Sequence, residues 1–250
     1  MKRLNAKQAH KFNKLHKACV EVSACGSVGG GGNSSAPKLA FTLAEVLVTL
    51  GIIGVVSAMT VPTLMQNHQR KTYVVQLHKF YNEMSQALLQ YQTDKNAINL
   101  KEAGLVSNDD IGEFIKSYFK VVNDCGADRT PCMANEYKKI SGTAVSTNLN
   151  RYVTLASGAS LGYSYKSAAP ANILFSLDVD INGQNGPNIV GRDVFAVYVY
   201  ENGIIDDYGA SAPVSKDDRE NNFESACIGT AADWYGCFGK ILNDNWEMTY

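Results

Sequence analysis

Histidine is scarce in this chain: of 250 residues only His10, His16, His68 and His78 are histidine, and none follows position 78. The long C-terminal body therefore lacks the base of a Ser-His or Cys-His pair and the imidazoles of a zinc site. Cysteine is also sparing, with six in all, and neither spacing in the body is that of a CxxC knuckle. Charge is missing from one stretch altogether, the 20 residues from Val46 to Met65, and no second apolar run of that length exists. A polytopic membrane protein is thereby excluded. With 45% hydrophobic and 19% charged residues, so are a disordered tail and a collagen-like fibre.

What charge there is lies unevenly. Residues 1–40 hold seven Lys or Arg against Glu21, a net of +6, whereas the other 210 residues hold 16 basic and 23 acidic groups, a net of −7. Between them lies FTLAEVLVTLGIIGVVSAMTVPTLM, Phe41 to Met65, with Glu45 as its one charged side chain. At 1.5 Å per residue, 20 uncharged residues reach about 30 Å, the thickness of a bilayer's hydrocarbon core. A single membrane helix is expected over 41–66, with the basic N-terminus cytoplasmic and the acidic body outside. Membrane lipid is its first partner. The basic leader could also touch nucleic acid, but the positive-inside bias accounts for the same charge without a further partner.

Four body cysteines, Cys125, Cys132, Cys227 and Cys237, form an even set in two local pairs, as an oxidising compartment would close them. Three connectivities exist; Cys125 to Cys132 with Cys227 to Cys237 is preferred because both loops are short. Cys19 and Cys25 fall on the cytoplasmic side.

Along the chain, residues 1–25 are a basic tail with at most a weak amphipathic pattern (Leu4, Phe12, Leu15, Cys19), and 26–37 is a Gly/Ser linker. Residues 1–40 are thus a leader, 41–66 the apolar helix, and 67–250 the extracytoplasmic body. Beyond the apolar run, Val74, Leu77, Tyr81, Met84, Leu88 and Tyr91 recur at three or four residues, which continues the helix to about Thr93. Pro62 removes a backbone hydrogen bond and predicts a kink. A shorter helix follows Ser107, with Ile111, Phe114, Ile115, Tyr118 and Val122 on one side. Strands are expected at 152–156, 161–165, 173–179 and 193–200, with a hairpin at Asn202-Gly203. A long helix followed by a meander of strands argues for an α+β fold whose antiparallel sheet packs on the helix. The stretch from Cys227 to Tyr250, with Trp234, Trp246 and Tyr250, reads as a disulfide-tied cap.

The residues Ala40-Phe41-Thr42-Leu43-Ala44-Glu45, with a basic leader before them and the apolar run after them, resemble the prepilin motif of type IV pilins and type II secretion pseudopilins. Ala40 stands where the family most often has Gly. The resemblance implies a pilin-like fold and cleavage between Ala40 and Phe41 by a prepilin peptidase that also N-methylates Phe41. It further implies assembly through the N-terminal helix into a pilus or secretion pseudopilus. Glu45 matches the glutamate that neutralises the new amine of a neighbouring subunit, and Pro62 matches a proline of pilin helices. The partners implied are that peptidase and methyltransferase, other pilin or pseudopilin subunits and an inner-membrane assembly platform; a DNA-uptake pilin would add nucleic acid. The implied location is the inner membrane and then an extracytoplasmic fibre.

Two physical readings stand beside the resemblance. A lone carboxylate in hydrocarbon is costly and wants a specific partner, which a freshly cut Phe41 ammonium supplies. Gly51, Gly54 and Ala58 offer a small-residue face for helix packing.

In the body, 176–195 (SLDVDINGQNGPNIVGRDVF) resembles a segment common in pseudopilin-like proteins. Asp178, Asp180 and Asn182 before Gly183, with Asp193 as a late ligand, form a candidate Ca2+ loop, although Ile189 stands where a twelfth-position Glu belongs. A strand-ending turn explains the same residues. No cofactor is otherwise expected.

The rival class is a signal-anchored or secreted binding or enzymatic domain. Val56-Ser57-Ala58 could end a signal peptide, leaving Met59 first, but Glu45 and the long basic region count against it. Val22 to Cys25 lacks the apolar run a lipoprotein signal needs. The acidic pairs Asp109/Asp110, Asp206/Asp207 and Asp217/Asp218 read as solvated loops, so the body is not expected to be an enzyme.

Overall fold

A computed structural model describes residues 42–166, 172–230 and 232–250. The chain divides into two units, Met1–Ile53 and Gly54–Tyr250, with the boundary inside a single helix, α1 (Leu43–Asp94). In the first unit every described residue is exposed. In the second, α1 stays exposed through Gln69 and then buries Val74, Leu77, Phe80, Met84, Ala87 and Leu88.

Those spacings of three and four residues make one stripe. It packs on the sheet through Val153, Leu161, Leu177 and Val197, all in the same core. Four of the six positions expected from the sequence, Val74, Leu77, Met84 and Leu88, lie in this stripe. Phe80 and Ala87 are buried, whereas Tyr81 and Tyr91 sit at its margin, partly exposed. A tyrosine ring can pack its flank while its hydroxyl reaches water, which suits it to a margin. The helix runs through Pro62 as one element.

A second helix, α2 (Asn108–Tyr118), starts at Ser107, whose hydroxyl accepts from Asp110 N–H while donating to the Asp110 carboxylate. It buries Ile111, Phe114 and Ile115. Expected on the same face, Val122 instead lies in β1 (Val121–Gly126) and is exposed. The helix ends at Phe119, which is extended, so Val122 falls outside its periodicity.

The six-stranded sheet joins β1 to β4 (Arg151–Leu155), β5 (Ser160–Tyr165), β6 (Ile173–Asp180), β7 (Val194–Tyr200) and β8 (Ile205–Asp206), in that order and antiparallel throughout. A small hairpin, β2 (Tyr137–Lys138) with β3 (Ala144–Val145), is inserted between β1 and β4. Register pairs Leu161 with Val179 and Leu177 with Val197, which aims these apolar side chains at α1. Gly203, at φ +83°, supplies the left-handed residue of the tight turn between β7 and β8, closed by Tyr200 N–H to Ile204 O at 2.9 Å.

Every residue of β6 is buried, so both faces of the sheet centre are covered. The chain ends in α3 (Lys216–Asn222), a π-helical turn (Phe223–Cys227) and α4 (Cys237–Asn243). Trp246 stacks on His78 of α1 at 4.0 Å between ring centroids. Phe238, Ile241 and Met248 join the main core, so this terminal segment closes it as expected.

Candidate functional site

The first site is the start of α1. Thr42 N–H and the Thr42 hydroxyl both donate to Glu45 Oε2, at 2.8 and 2.9 Å, while Glu45 N–H donates to Thr42 Oγ1 at 3.2 Å. This is a capping box: the carboxylate satisfies an orphan N–H just before the helix, and a negative charge sits where the helix dipole favours it. Its signature in the sequence is Thr-x-x-Glu at 42–45. The expected cleavage residues Ala40 and Phe41 lie outside the described residues, as does the basic leader with its linker.

Beyond the cap, the large apolar side chains from Leu43 to Met65 are exposed, among them Leu47, Leu50, Ile53, Val56 and Leu64. Gly51 in the first unit and Gly54 in the second have nothing within 4 Å of the space a Cβ would take, and Ala58 and Pro62 are likewise exposed. An apolar surface of this extent left open to water would associate with lipid or with another apolar surface. Among the described residues, α1 is the one helix long and apolar enough to cross a membrane.

Both expected disulfides form. Cys125 pairs with Cys132 and Cys227 with Cys237, across Cα separations of 6.1 and 5.1 Å. The first ties β1 to the segment leading into β2; the second ties the π-helical turn to the start of α4.

The acidic residues Asp180, at the end of β6, and Asp193, in the loop that follows, are engaged within the chain. Asp180 accepts the Tyr137 hydroxyl at 2.7 Å and the Asn182 N–H at 3.3 Å. Asp193 takes the N–H groups of Asn188 and Ile189 on its two oxygens, each at 2.7 Å. Gly183, at φ +66°, turns the chain in a space too small for a side chain. Asp180, Asn182 and Asp193 thus lie together and close the loop upon itself, whereas Asp178 lines a separate cavity. Among the described residues no group of three or more His, Cys, Asp or Glu could hold a metal ion. Burial pushes Asp180 up to about 7, with neighbouring Asp193 adding to the shift and the Tyr137 hydrogen bond opposing it. Asp193 is raised for the same reason.

Of the three acidic pairs, one is not solvated as expected. Asp206 and Asp207 are buried. Arg219 forks onto Asp206 through Nε at 2.8 Å and Nη2 at 2.6 Å. Asp207 accepts the N–H groups of Tyr208 and Gly236, both at 2.9 Å, and so holds the entry to α4. Asp110 and Asp218 cap α2 and α3 through Ser107 and Ser215.

One residue was invisible to the sequence reading. Lys139, 1% exposed, sends its ammonium to the carbonyls of Ala226, Gly229 and Asp233, a loop about 90 residues further on. A charge buried against carbonyls leaves no local pattern, and nothing in the sequence around Lys139 could have found it.

Fold and site together define an α+β protein with, among the described residues, one membrane-length apolar helix, and with two disulfides in its body. Comparison of the chain with family models, curated proteins and solved structures gives no match.

Proposed function

We propose that the chain is a prepilin-like structural subunit. In this reading it is made in the inner membrane with its N-terminus cytoplasmic, cut between Ala40 and Phe41, N-methylated at Phe41, and assembled through α1 into a type IV pilus or a secretion pseudopilus. The observation that carries the proposal is the junction at the head of α1. A lone carboxylate, Glu45, stands at the threshold of 20 uncharged residues whose large apolar side chains are all exposed. Such a surface suits lipid before assembly and neighbouring helices after it.

The pilin-like body is part of the same proposal: a helix whose second half packs on an antiparallel meander, with disulfides suited to an oxidising compartment. The partners are a prepilin peptidase with methyltransferase activity, other subunits of the fibre, and an assembly platform in the membrane.

The test is the N-terminal mass of the protein recovered from membranes of cells with and without a prepilin peptidase. A start at Phe41, heavier by one methyl group and dependent on the peptidase, is the expected result. The same start in both strains, at Met1 or at Met59, would overturn the reading.

A further inference from the structure

The face of β6 that turns away from Leu177 and Val179 carries Ser176 and Asp178, and β7 adds Ala196 and Tyr198 beside them. The small side chains Ser176 and Ala196 leave a hollow, which residues 146–149 and 232–235 border. The result is a cavity of about 280 Å³ with Asp178 and Ser176 in its wall, the rings of Tyr198, Trp234 and Tyr235 around it, and Lys166 and Asp233 also lining it.

Asp178 is 95% buried, and among the described residues its carboxylate has neither a hydrogen bond nor an ion pair. Two positions along the same strand face, Asp180 is fully engaged with Tyr137 and Asn182. Ser176 Oγ, buried beside Asp178, has no hydrogen-bond partner either. A fully buried acceptor without a donor, as Ser176 Oγ is here, forfeits on the order of 1–3 kcal/mol, and the Asp178 carboxyl beside it opens only onto the cavity.

We propose that this cavity is a binding site for a small organic cation carrying a primary ammonium group. The chemistry of the wall selects that class. Asp178, Asp233 and Ser176 offer acceptors to the three donors of an ammonium, and aromatic faces attract a cation. The buried Asp178 carboxyl disfavours an anionic ligand, while Asp233 is also engaged by the Lys139 ammonium. The volume lies at the small end of ligand sites, which suits an alkylamine rather than a polymer. Burial pushes the Asp178 carboxyl up to about 8, with Lys166 acting in the opposite sense. A bound ammonium favours the ionised form, so binding releases a proton as the pH falls below that value. The charged and titratable groups facing Asp178 are Lys166, Asp233, Tyr152, Tyr198 and Tyr235. This inference is independent of fibre assembly.

Calorimetric titration of the full chain in detergent tests it, with n-propylammonium chloride as the probe and propan-1-ol and methyl glucoside as neutral controls. Saturable binding of propylammonium is expected at pH 8, weaker by at least about tenfold at pH 6 as Asp178 takes up its proton. Asp178→Asn keeps the shape, removes a buried charge and should weaken binding at least about tenfold. Lys166→Met removes the competing cation and should tighten it severalfold. No saturable heat up to 20 mM propylammonium overturns the proposal. So does unchanged affinity in Asp178→Asn, or equal binding of either neutral control.

Discussion

At the scale of single residues, the carboxylates and one lysine show how far a side chain's role depends on what covers it. Glu45 was expected to serve a neighbour's amine, and within its own chain it also caps the helix through Thr42. The two roles separate by substitution. Glu45→Gln keeps an acceptor for the cap and loses the charge, whereas Glu45→Ala loses both. If amine pairing sets axial register, both variants still insert in the membrane and both enter fibres poorly, as measured by the fraction of subunit recovered in sheared fibres. Normal incorporation of Glu45→Gln would reduce Glu45 to a cap. Lys139 supplies a purely structural counterpart. Lys139→Met leaves the buried Ala226 carbonyl without its donor, frees those of Gly229 and Asp233, and should lower unfolding stability by about 2 kcal/mol, read as a lower urea midpoint.

At the scale of elements, α1 obeys two solvents in turn, and its sequence already says where the change falls. Up to Met65 it is apolar all round, which fits lipid. From Val74 it is apolar on one stripe, which fits a core. Substitutions should therefore divide by position. Leu77→Ala opens a hole in the core and should cost about 2–5 kcal/mol in urea unfolding. Ile53→Asp leaves that unfolding unchanged and instead loosens the chain from the membrane, since a charge near a span's centre costs about 3 kcal/mol, and alkaline extraction should then release it. A result in which Ile53→Asp lowers body stability as much as Leu77→Ala would contradict this division. Strands β4 to β7 were legible because their apolar runs are long and their turns marked by Gly and Asn. Edge strand β1, with its exposed Val122, and the two-residue strands of the inserted hairpin were not, because they carry little apolar pattern and exist through their partners.

For the whole molecule, the unusual feature is acid buried in the sheet's second face and the terminal segment. Burial raises Asp178 to about 8, Asp180 to about 7 and Asp207 to about 6. A carboxyl with a raised folded value binds more protons folded than unfolded, so its effect on stability is most favourable below its unfolded value near 4 and is lost as pH rises through its folded value. The contribution of these groups to the melting temperature should thus fall steadily from pH 4 upward, by about 5 °C or more by pH 8. Asp178→Asn should flatten the upper part of that decline. A flat profile from pH 5 to 8 would mean that these carboxyls titrate as if exposed.

Features that depend on neighbours along the chain were legible from residue order: the membrane-length helix, its continuation as an amphipathic stripe, the order of helix before meander, and the two short disulfide loops. Tertiary structure decided what depends on residues far apart. Tyr137 meets Asp180 across 43 positions and Lys139 meets Asp233 across 94, so whether an Asp faces water, a hydroxyl or an empty hollow is settled only when the sheet and terminal segment close. Periodicity reports which side of an element is apolar; it carries no information about which distant polar group will lie opposite. For that reason the spacing of Asp178, Asp180 and Asp193 could not say that Asp180 and Asp193 would bond within the loop while Asp178 would face a cavity.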